Sequence, residues 1–286
     1  MNNTFTLLPM SQRFLLMPGK VTEGSIKIVN PADATEDFSY KVTVTPYGVV
    51  GEDYKADLET DSTRTAIAKW IEIEEPTGKI KPNESKEVKF KINVPANAPV
   101  GGQYATIAVS SNADTSSSSG VAVQNVLEMA SVIYGTVNGP IEHKGEILEN
   151  NVPGFIVSPP ATLSALIKNE GNIHEDASFT IKVTDFFSGN TILPTENDDG
   201  EYSELIMPET TRYIEREVGN LPALGVVKVV QTINYMGKEP STTDKVIIIC
   251  PIWFMALVAA TTLAIIFTIV QIIRKHRKHK KSDLAI

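Results

Sequence analysis

The chain of 286 residues carries a formal charge of −8, from 26 Lys+Arg against 34 Asp+Glu. The charge is unevenly placed: residues 1–245 hold 20 basic and 33 acidic side chains, residues 246–273 hold neither, and residues 274–286 hold six bases against one acid, Asp283. A charge-free run of 28 residues excludes a simple soluble protein, because about 20 apolar residues cross the hydrocarbon core of a bilayer, and the scattered bases of the acidic part lack the clustered footprint that nucleic acid requires.

Residues 1–20 show no basic stretch followed by a continuous apolar run, the pattern of an export signal. Their apolar residues fall in two short runs, Phe5-Thr6-Leu7-Leu8 and Phe14-Leu15-Leu16-Met17, broken by Pro9 and Arg13, and both are expected to be opening strands of a domain. The topology derived below places the acidic part outside the cell, which requires a signal. The expectation is therefore that the true start lies upstream or that a signal has been removed. The competing topology is a cytosolic domain on a tail anchor, which requires the basic tail to cross the membrane.

Strand patterns follow at short spacing. Ser25-Ile26-Lys27-Ile28-Val29, Tyr40-Lys41-Val42-Thr43-Val44, Trp70-Ile71-Glu72-Ile73 and Val88-Lys89-Phe90-Lys91-Ile92 alternate apolar with polar residues, as half-buried strands do. Asn30-Pro31, Pro76-Thr77-Gly78, Lys81-Pro82-Asn83 and Gly101-Gly102 supply turn chemistry between them. Tyr104, after Val94-Pro95 and before an alternating run, has the placing of a tyrosine corner. The serines at 116–119 read as a strand-connecting loop.

Residues 25–45 overlay residues 164–184 at a constant offset of 139, with Ser25/Ser164, Ile28/Ile167, Asn30/Asn169, Glu36/Glu175, Asp37/Asp176, Ser39/Ser178 and Thr45/Thr184 identical. Each copy reads as strand, Asn-containing turn, strand. Val94-Pro95 later matches Leu221-Pro222 at an offset of 127, so the first copy carries about a dozen extra residues, placed most simply at 52–61. The expected fold is all-β: two tandem immunoglobulin-like β-sandwiches, 1–138 and 139–245, joined at Asn138-Gly139-Pro140, then a single transmembrane α-helix within 246–273 and a basic tail, 274–286. The single cysteine, Cys250, heads the apolar run, so the outer region contains no disulfide and must be stable through its cores alone.

This inventory makes an enzyme site hard to build. The outer region holds only His143 and His174, with no nucleophile elbow, zinc motif or phosphate-cradling glycine loop, and no cofactor or small-molecule substrate is expected. His174 aligns with Thr35 and reads as a polar turn position. Carboxylate pairs such as Glu36-Asp37 and Glu74-Glu75 read as solvated faces. Glu196-Asn197-Asp198-Asp199-Gly200-Glu201 offers hard oxygen ligands for calcium but lacks the register of a calcium loop, and Asp199-Gly200 is a common turn. Asn83-Glu84-Ser85 and Asn2-Asn3-Thr4 match the glycosylation sequon.

The membrane helix is expected to start near Pro251, since proline suits a helix's first turn, with Trp253 at the interface, and to end near Ile273. Residues 246–250 are then an apolar lead-in. Thr261, Thr262 and Thr268 are tolerated if their hydroxyls bond back to helix carbonyls. Arg274, Lys275, Arg277, Lys278, Lys280 and Lys281 form a block that the positive-inside rule keeps in the cytoplasm, making this a single-pass plasma-membrane protein with its N-terminal part outside.

Phe5-Thr6-Leu7-Leu8, Ser11-Gln12-Arg13-Phe14, Pro18-Gly19, the stretch 24–30, Ile80-Lys81-Pro82-Asn83-Glu84-Ser85, Val100-Gly101-Gly102-Gln103-Tyr104 and Gly120-Val121-Ala122-Val123-Gln124-Asn125 with Val132-Ile133-Tyr134-Gly135 together resemble the first domain of WxL-interacting proteins of Gram-positive cell surfaces. The resemblance covers residues 4–137. It implies two extracellular sandwiches on a membrane helix with a short basic tail, and peptidoglycan or a surface WxL protein as partner. The second half, with its Asn169-Glu170-Gly171-Asn172-Ile173-His174 turn, is more similar to a generic exported immunoglobulin-like repeat. The leading expectation is a non-enzymatic, membrane-anchored surface binding or adhesion protein presenting its domains to peptidoglycan or a partner surface protein. The alternatives are an exported wall-glycan hydrolase, or a chaperone-like assembly subunit that donates or accepts a strand.

Overall fold

The structure, a computed structural model, describes residues 5–111 and 127–282, the side chains of 275–282 excepted. Among the described residues the chain is all-β apart from one short 3-10 turn and a C-terminal apolar helix. It divides into two compact units: Met1–Glu146 with Ile167–Asp176 and Leu205–Tyr213, and Ile147–Leu166 with Ala177–Glu204 and Ile214–Ile286. The expected joint at 138–140 lies inside the first unit. The serines at 116–119 and the stretch 120–125 fall outside the described residues, as does the sequon at 2–4.

The first eleven strands are β1 (Thr6–Leu8), β2 (Ser11–Leu16), β3 (Val21–Val29), β4 (Phe38–Pro46), the hairpin β5 (Gly48–Val50) and β6 (Lys55–Asp57), then, after the 3-10 turn Ala66–Lys69, β7 (Ile71–Ile73), β8 (Thr77–Ile80), β9 (Ser85–Asn93), β10 (Gly101–Ser111) and β11 (Glu128–Val137). They form a four-stranded sheet, β1-β3-β9-β7, and a five-stranded sheet, β2-β11-β10-β4-β8. Alternation decides which side chains meet: Leu7, Ile26, Ile28, Val88, Phe90 and Ile92 from the first sheet and Leu16, Tyr40, Val42, Ile107, Val109 and Ile133 from the second share one core. The two opening runs are strands, as their residues predict, but they join different sheets: β1 pairs antiparallel with β3, and β2 pairs parallel with β11.

Two expected turns are strands instead. Thr77 and Gly78 belong to β8, where Gly78 stands opposite Tyr40 and a Cβ at Gly78 would strike the Tyr40 ring. This glycine gives a buried aromatic room across the ladder, a role that sequence does not distinguish from a turn. Gly101 and Gly102 open β10; Gly101, at φ +101, supplies the left-handed start that a side chain would resist.

The remaining strands are β12 (Gly145–Asn151), β13 (Phe155–Ile156), β14 (Ala161–Asn169), β15 (Glu175–Asp185), β16 (Thr191–Leu193), β17 (Glu201–Ile206), β18 (Thr210–Val218), β19 (Gly225–Tyr235) and β20 (Ser241–Ile249), followed by α1 (Ile252–Ser282). One sheet has the order β12-β14-β18; the other runs β13-β20-β19-β15-β16, with β17 also on β15. The second unit's core gathers Ala161, Leu163 and Val218 from the first of these sheets with Ile181, Val183, Val227, Val229, Ile247 and Ile249 from the other. Residues 246–249 are therefore the end of β20, not a lead-in to the helix: Ile247 and Ile249 fill this core while Val246 and Ile248 face outward.

The repeat has a physical cause. Asn30, at the exit of β3, is buried, and its amide donates to the carbonyls of Glu36 and Ile80 at 3.0 Å each. Asn169, at the exit of β14, is buried too and donates to Ile173 at 2.8 Å and Ile206 at 3.0 Å. In both copies one carboxamide closes its own turn and ties it to a second one: Ile80-Lys81-Pro82-Asn83 in the first, Ile206-Met207-Pro208-Glu209 in the second. Asn83 and Glu209 both take positive φ, 64° and 60°. This second pair of turns matches at an offset of 126, so the extra residues of the first copy lie between β4 and β8, where β5, β6, the 3-10 turn and β7 are found.

Replacing Asn30 or Asn169 by alanine leaves one buried and one part-buried carbonyl without their donor, and each substitution is expected to cost about 2–3 kcal/mol, read as a shift in urea midpoint without a change in slope. Exposed Asn197 changed in the same way is expected to leave the midpoint within about 0.5 kcal/mol of the parent.

Candidate functional site

Within the first unit the most concentrated chemistry is a ring cluster. Tyr134 on β11 meets Tyr47 edge-on with ring centres 6.4 Å apart and Tyr104 at 6.0 Å, and the His174 imidazole lies 5.7 Å from Tyr104 and 5.4 Å from Tyr134. His174 is half-buried here rather than a solvated turn residue, and its Nδ1 is 3.3 Å from the Tyr104 hydroxyl. Tyr104 is accordingly not a tyrosine corner, for its hydroxyl reaches the His174 ring instead of the backbone upstream. Burial raises the Tyr104 phenol well above its ordinary range, and burial with Tyr47 close by pushes Tyr134 up to about 12. His174 is pushed down to about 4, by burial first and then by Arg13, against a smaller opposing pull from Asp176.

Arg13, the residue that breaks the second apolar run, points from β2 to the Asp176 carboxylate in a two-pronged pair of 2.5 and 2.7 Å and holds that carboxyl below its usual value. Nearby, Tyr54 lies under the Arg212 guanidinium, 4.7 Å from ring centre, and its hydroxyl meets Thr210 and accepts from the Met207 amide at 2.9 Å. Arg64 bridges Glu209 at 2.8 Å. These groups satisfy one another, and the arrangement is a braced contact rather than an open pocket.

An unfilled valence lies along the edge of the five-stranded sheet. β2 covers β11 only from Val132 to Val137. On its other side β11 is paired with β10 from Glu128 onward. Among the described residues, no strand pairs with the outer edge of Glu128–Ser131. The residues there, Met129 and Ala130 with Leu127 just before, are apolar. Of the other outer strands of these two sheets, β7 and β1 are three residues long, β8 is four residues long and carries Lys79, and β2 is six residues long and carries Arg13. Short or charged edges are the usual protection against strand addition; this segment of β11 has one charge, Glu128, at its start, followed by Met129 and Ala130.

The anchor residues are placed as follows. The Pro251 carbonyl accepts from the amides of Phe254 and Met255 at 3.0 and 3.1 Å, so it caps the helix from outside; α1 begins one residue later at Ile252, with Trp253 exposed in the first turn. The stretch Ile252–Arg274 is long and apolar enough to cross a membrane, and none of it is buried against protein. Thr261, Thr262 and Thr268 bond back to Val258, Val258 and Ala264 at 2.9, 2.7 and 2.8 Å. The helix does not end near Ile273 but runs to Ser282, through the basic block. Lysine and arginine are good helix formers, and cations suit a helix's C-terminal end. The side chains of Lys275, Arg277, Lys278, Lys280 and Lys281 lie outside the described residues.

In the acidic turn, the Asp198 and Asp199 carboxylates accept from the amides of Gly200 and Glu201 at 2.9 Å each, and Asp198 also faces Arg216 at 3.7 Å. They brace the turn, and among the described residues no three His, Cys, Asp or Glu side chains converge on one point. Glu74 and Glu75 pair with Lys91 and Lys86 at 3.1 and 2.5 Å on the sheet surface, and His143 meets Glu175 at 2.5 Å.

No protein-family model matches the chain, and no curated protein matches it. Among solved structures it is similar to a chain of the CFA/I fimbrial chaperone–tip adhesin complex (12% identity, TM-score 0.42, covering 85% of this chain and 98% of that one). It is also similar to the class 5 fimbriae chaperone CfaA (13%, 0.41, 85% and 99%) and to the E. coli chaperone DraB (13%, 0.40, 85% and 96%).

His174 gives the first unit an acid sensitivity. Its folded form binds a proton less tightly than the unfolded chain, whose imidazole titrates near 6.5. Stability is therefore full above pH 6.5 and falls as the pH drops toward about 4, by at most about 3 kcal/mol for the depression given. His174→Asn is expected to flatten this part of the stability–pH curve, measured by urea midpoints from pH 7 to 4; the residual acid loss then follows the carboxylates held below their ordinary values, Glu170 and Asp176.

Proposed function

We propose that this chain is a non-enzymatic, membrane-anchored protein of the outer cell surface whose two immunoglobulin-like halves, 1–138 and 139–245, serve an assembly or chaperone-like role. It takes an extended segment of another exported protein as an added strand. The supporting observation is the outer edge of Glu128–Ser131, which offers main-chain donors and acceptors beside the apolar side chains of Met129 and Ala130 and, among the described residues, has no strand paired to it. Strand addition draws affinity from main-chain hydrogen bonds and selectivity from alternate side chains, and Leu127 and Met129 are the alternate pair at this edge. α1 holds the protein at the membrane, and its basic end faces the cytoplasm. A surface protein of the WxL kind is the partner class that the sequence resemblance favours.

The test uses the full chain in its own membrane with benzoylphenylalanine at Met129. The expected result is a crosslink to one exported polypeptide through a segment of alternating apolar residues, with slowed amide exchange over residues 127–131 in the complex. Ala130→Pro, which removes an edge donor, is expected to lower the crosslink about tenfold. Retention on wall sacculi that Ala130→Pro leaves undiminished, with no protein crosslinked at Met129, would transfer the function to peptidoglycan binding.

A further inference from the structure

The end of the second unit from which the membrane helix leaves is built without charge. Besides residues 246–273, three runs meet there: 152–160, 186–195 and 218–227, none holding an Asp, Glu, Lys, Arg or His. Strand register brings them together. Phe155 on β13 stands beside Ile248, Ile248 opposite Val226, and the Phe186 amide donates to the Val226 carbonyl at 3.0 Å. The result is one row across the outer face of the sheet, from Phe155 through Ile248 and Val226 to Phe186.

The apolar side chains of this row point into solvent: Phe155 is 50% exposed, Ile248 49%, Phe186 52% and Phe187 80%. The two phenylalanines are held out by a built turn. The Asp185 carboxylate accepts from the amides of Phe187 and Ser188 at 3.1 and 2.7 Å and from the Ser188 hydroxyl at 2.8 Å, while the Gly189 amide closes onto the Asp185 carbonyl at 3.0 Å. The Asp185 carboxylate beside the row is thus occupied by its own turn. One row further from the helix the same face becomes polar: Lys228 lies between Val246 and Thr184 and pairs with Asp244 at 2.8 Å. Lys245 lies beside Gly154, at the margin of the apolar row.

The occupant follows from continuity with the span. Ile248 and Cys250 donate to the carbonyls of Gly154 and Ile156, at 3.0 Å each, so the chain is bonded to the strand carrying Phe155 up to two residues before α1. Ile248 is four residues from Ile252, a reach of at most about 14 Å, which keeps the row at the depth where amphipathic segments lie in the headgroup boundary. Aromatic and aliphatic tips with flanking lysines are the composition that boundary favours.

We infer that Phe155, Phe186, Phe187 and Ile248 form a lipid-contacting foot that seats the second unit in the outer-leaflet interface of the bilayer its own helix crosses. This rests on the membrane reading of α1.

The test uses the full chain with Cys250→Ser in nanodiscs of phosphatidylcholine and phosphatidylglycerol, with a nitroxide at Phe187→Cys, a site exposed enough to accept it. Comparison labels sit at Thr242→Cys, further from the helix on the same sheet, and at Ala259→Cys in the span. The expected result is collision with oxygen above collision with a water-soluble nickel complex at position 187, the nickel term falling at least about threefold below that at 242. A nickel term at 187 equal to that at 242, with 259 shielded, overturns the foot and leaves the anchor standing. A label at 259 in water removes both. Protection of 187 from oxygen and nickel alike, as a second copy covering the patch would produce, also overturns the proposal.

Discussion

A chain that folds into facing sheets must repeatedly leave one sheet and enter the other, and at each crossing its carbonyls lose their ladder partners. In both copies of the repeat one buried asparagine meets that need at two crossings together. Asn30 ties the passage from β3 to β4 to the passage from β8 to β9, and Asn169 does the same for β14 to β15 and β17 to β18. Apolar alternation fills the cores, but it does not fix where the chain turns. Residues 1–249 contain no cysteine, so these amides do positional work that disulfides perform in many other small domains.

The β character was legible because alternation is a local signal, and β3, β4, β7 and β9 lie where their patterns fall. The repeat was legible for the same reason as the clamp is physical: Asn30 and Asn169 are the same residue at the same crossing. What sequence did not show was non-local. Gly78 faces the Tyr40 ring across a ladder, Gly101 opens a strand from a left-handed conformation, and Tyr104 bonds to a histidine 70 residues away. Nothing in the neighbours of those residues encodes these contacts. The apolar run at 246–250 misled for a related reason, since a buried strand end and a helix lead-in have the same composition. Of the candidate site, the sequence showed the apolar helix but not the open edge of β11, which depends on how far β2 extends alongside it.

The polar features divide by purpose. The Arg13–Asp176 pair is largely exposed and adds little stability alone, but beside it burial makes His174 costly to protonate, so mild acid acts on this cluster before it reaches the carboxylates. The acidic turn at Asp198-Asp199 and the surface pairs of Glu74 and Glu75 are closed on their own partners.

Only Cys250 and Pro251 separate the last ladder residue of β20 from the first residue of α1, so the joint has almost no slack. Any tension between α1 and the sheets enters the fold at Ile249, where the chain is gripped on one flank by β19 through Gly225 and on the other by β13 through Ile156. A strand pulled from a doubly bonded end shares load across neighbouring bonds instead of opening them one at a time. The molecule thus has a mechanical polarity: α1 is attached at a reinforced corner, and a load on the helix enters the fold there and is not absorbed by a flexible leash.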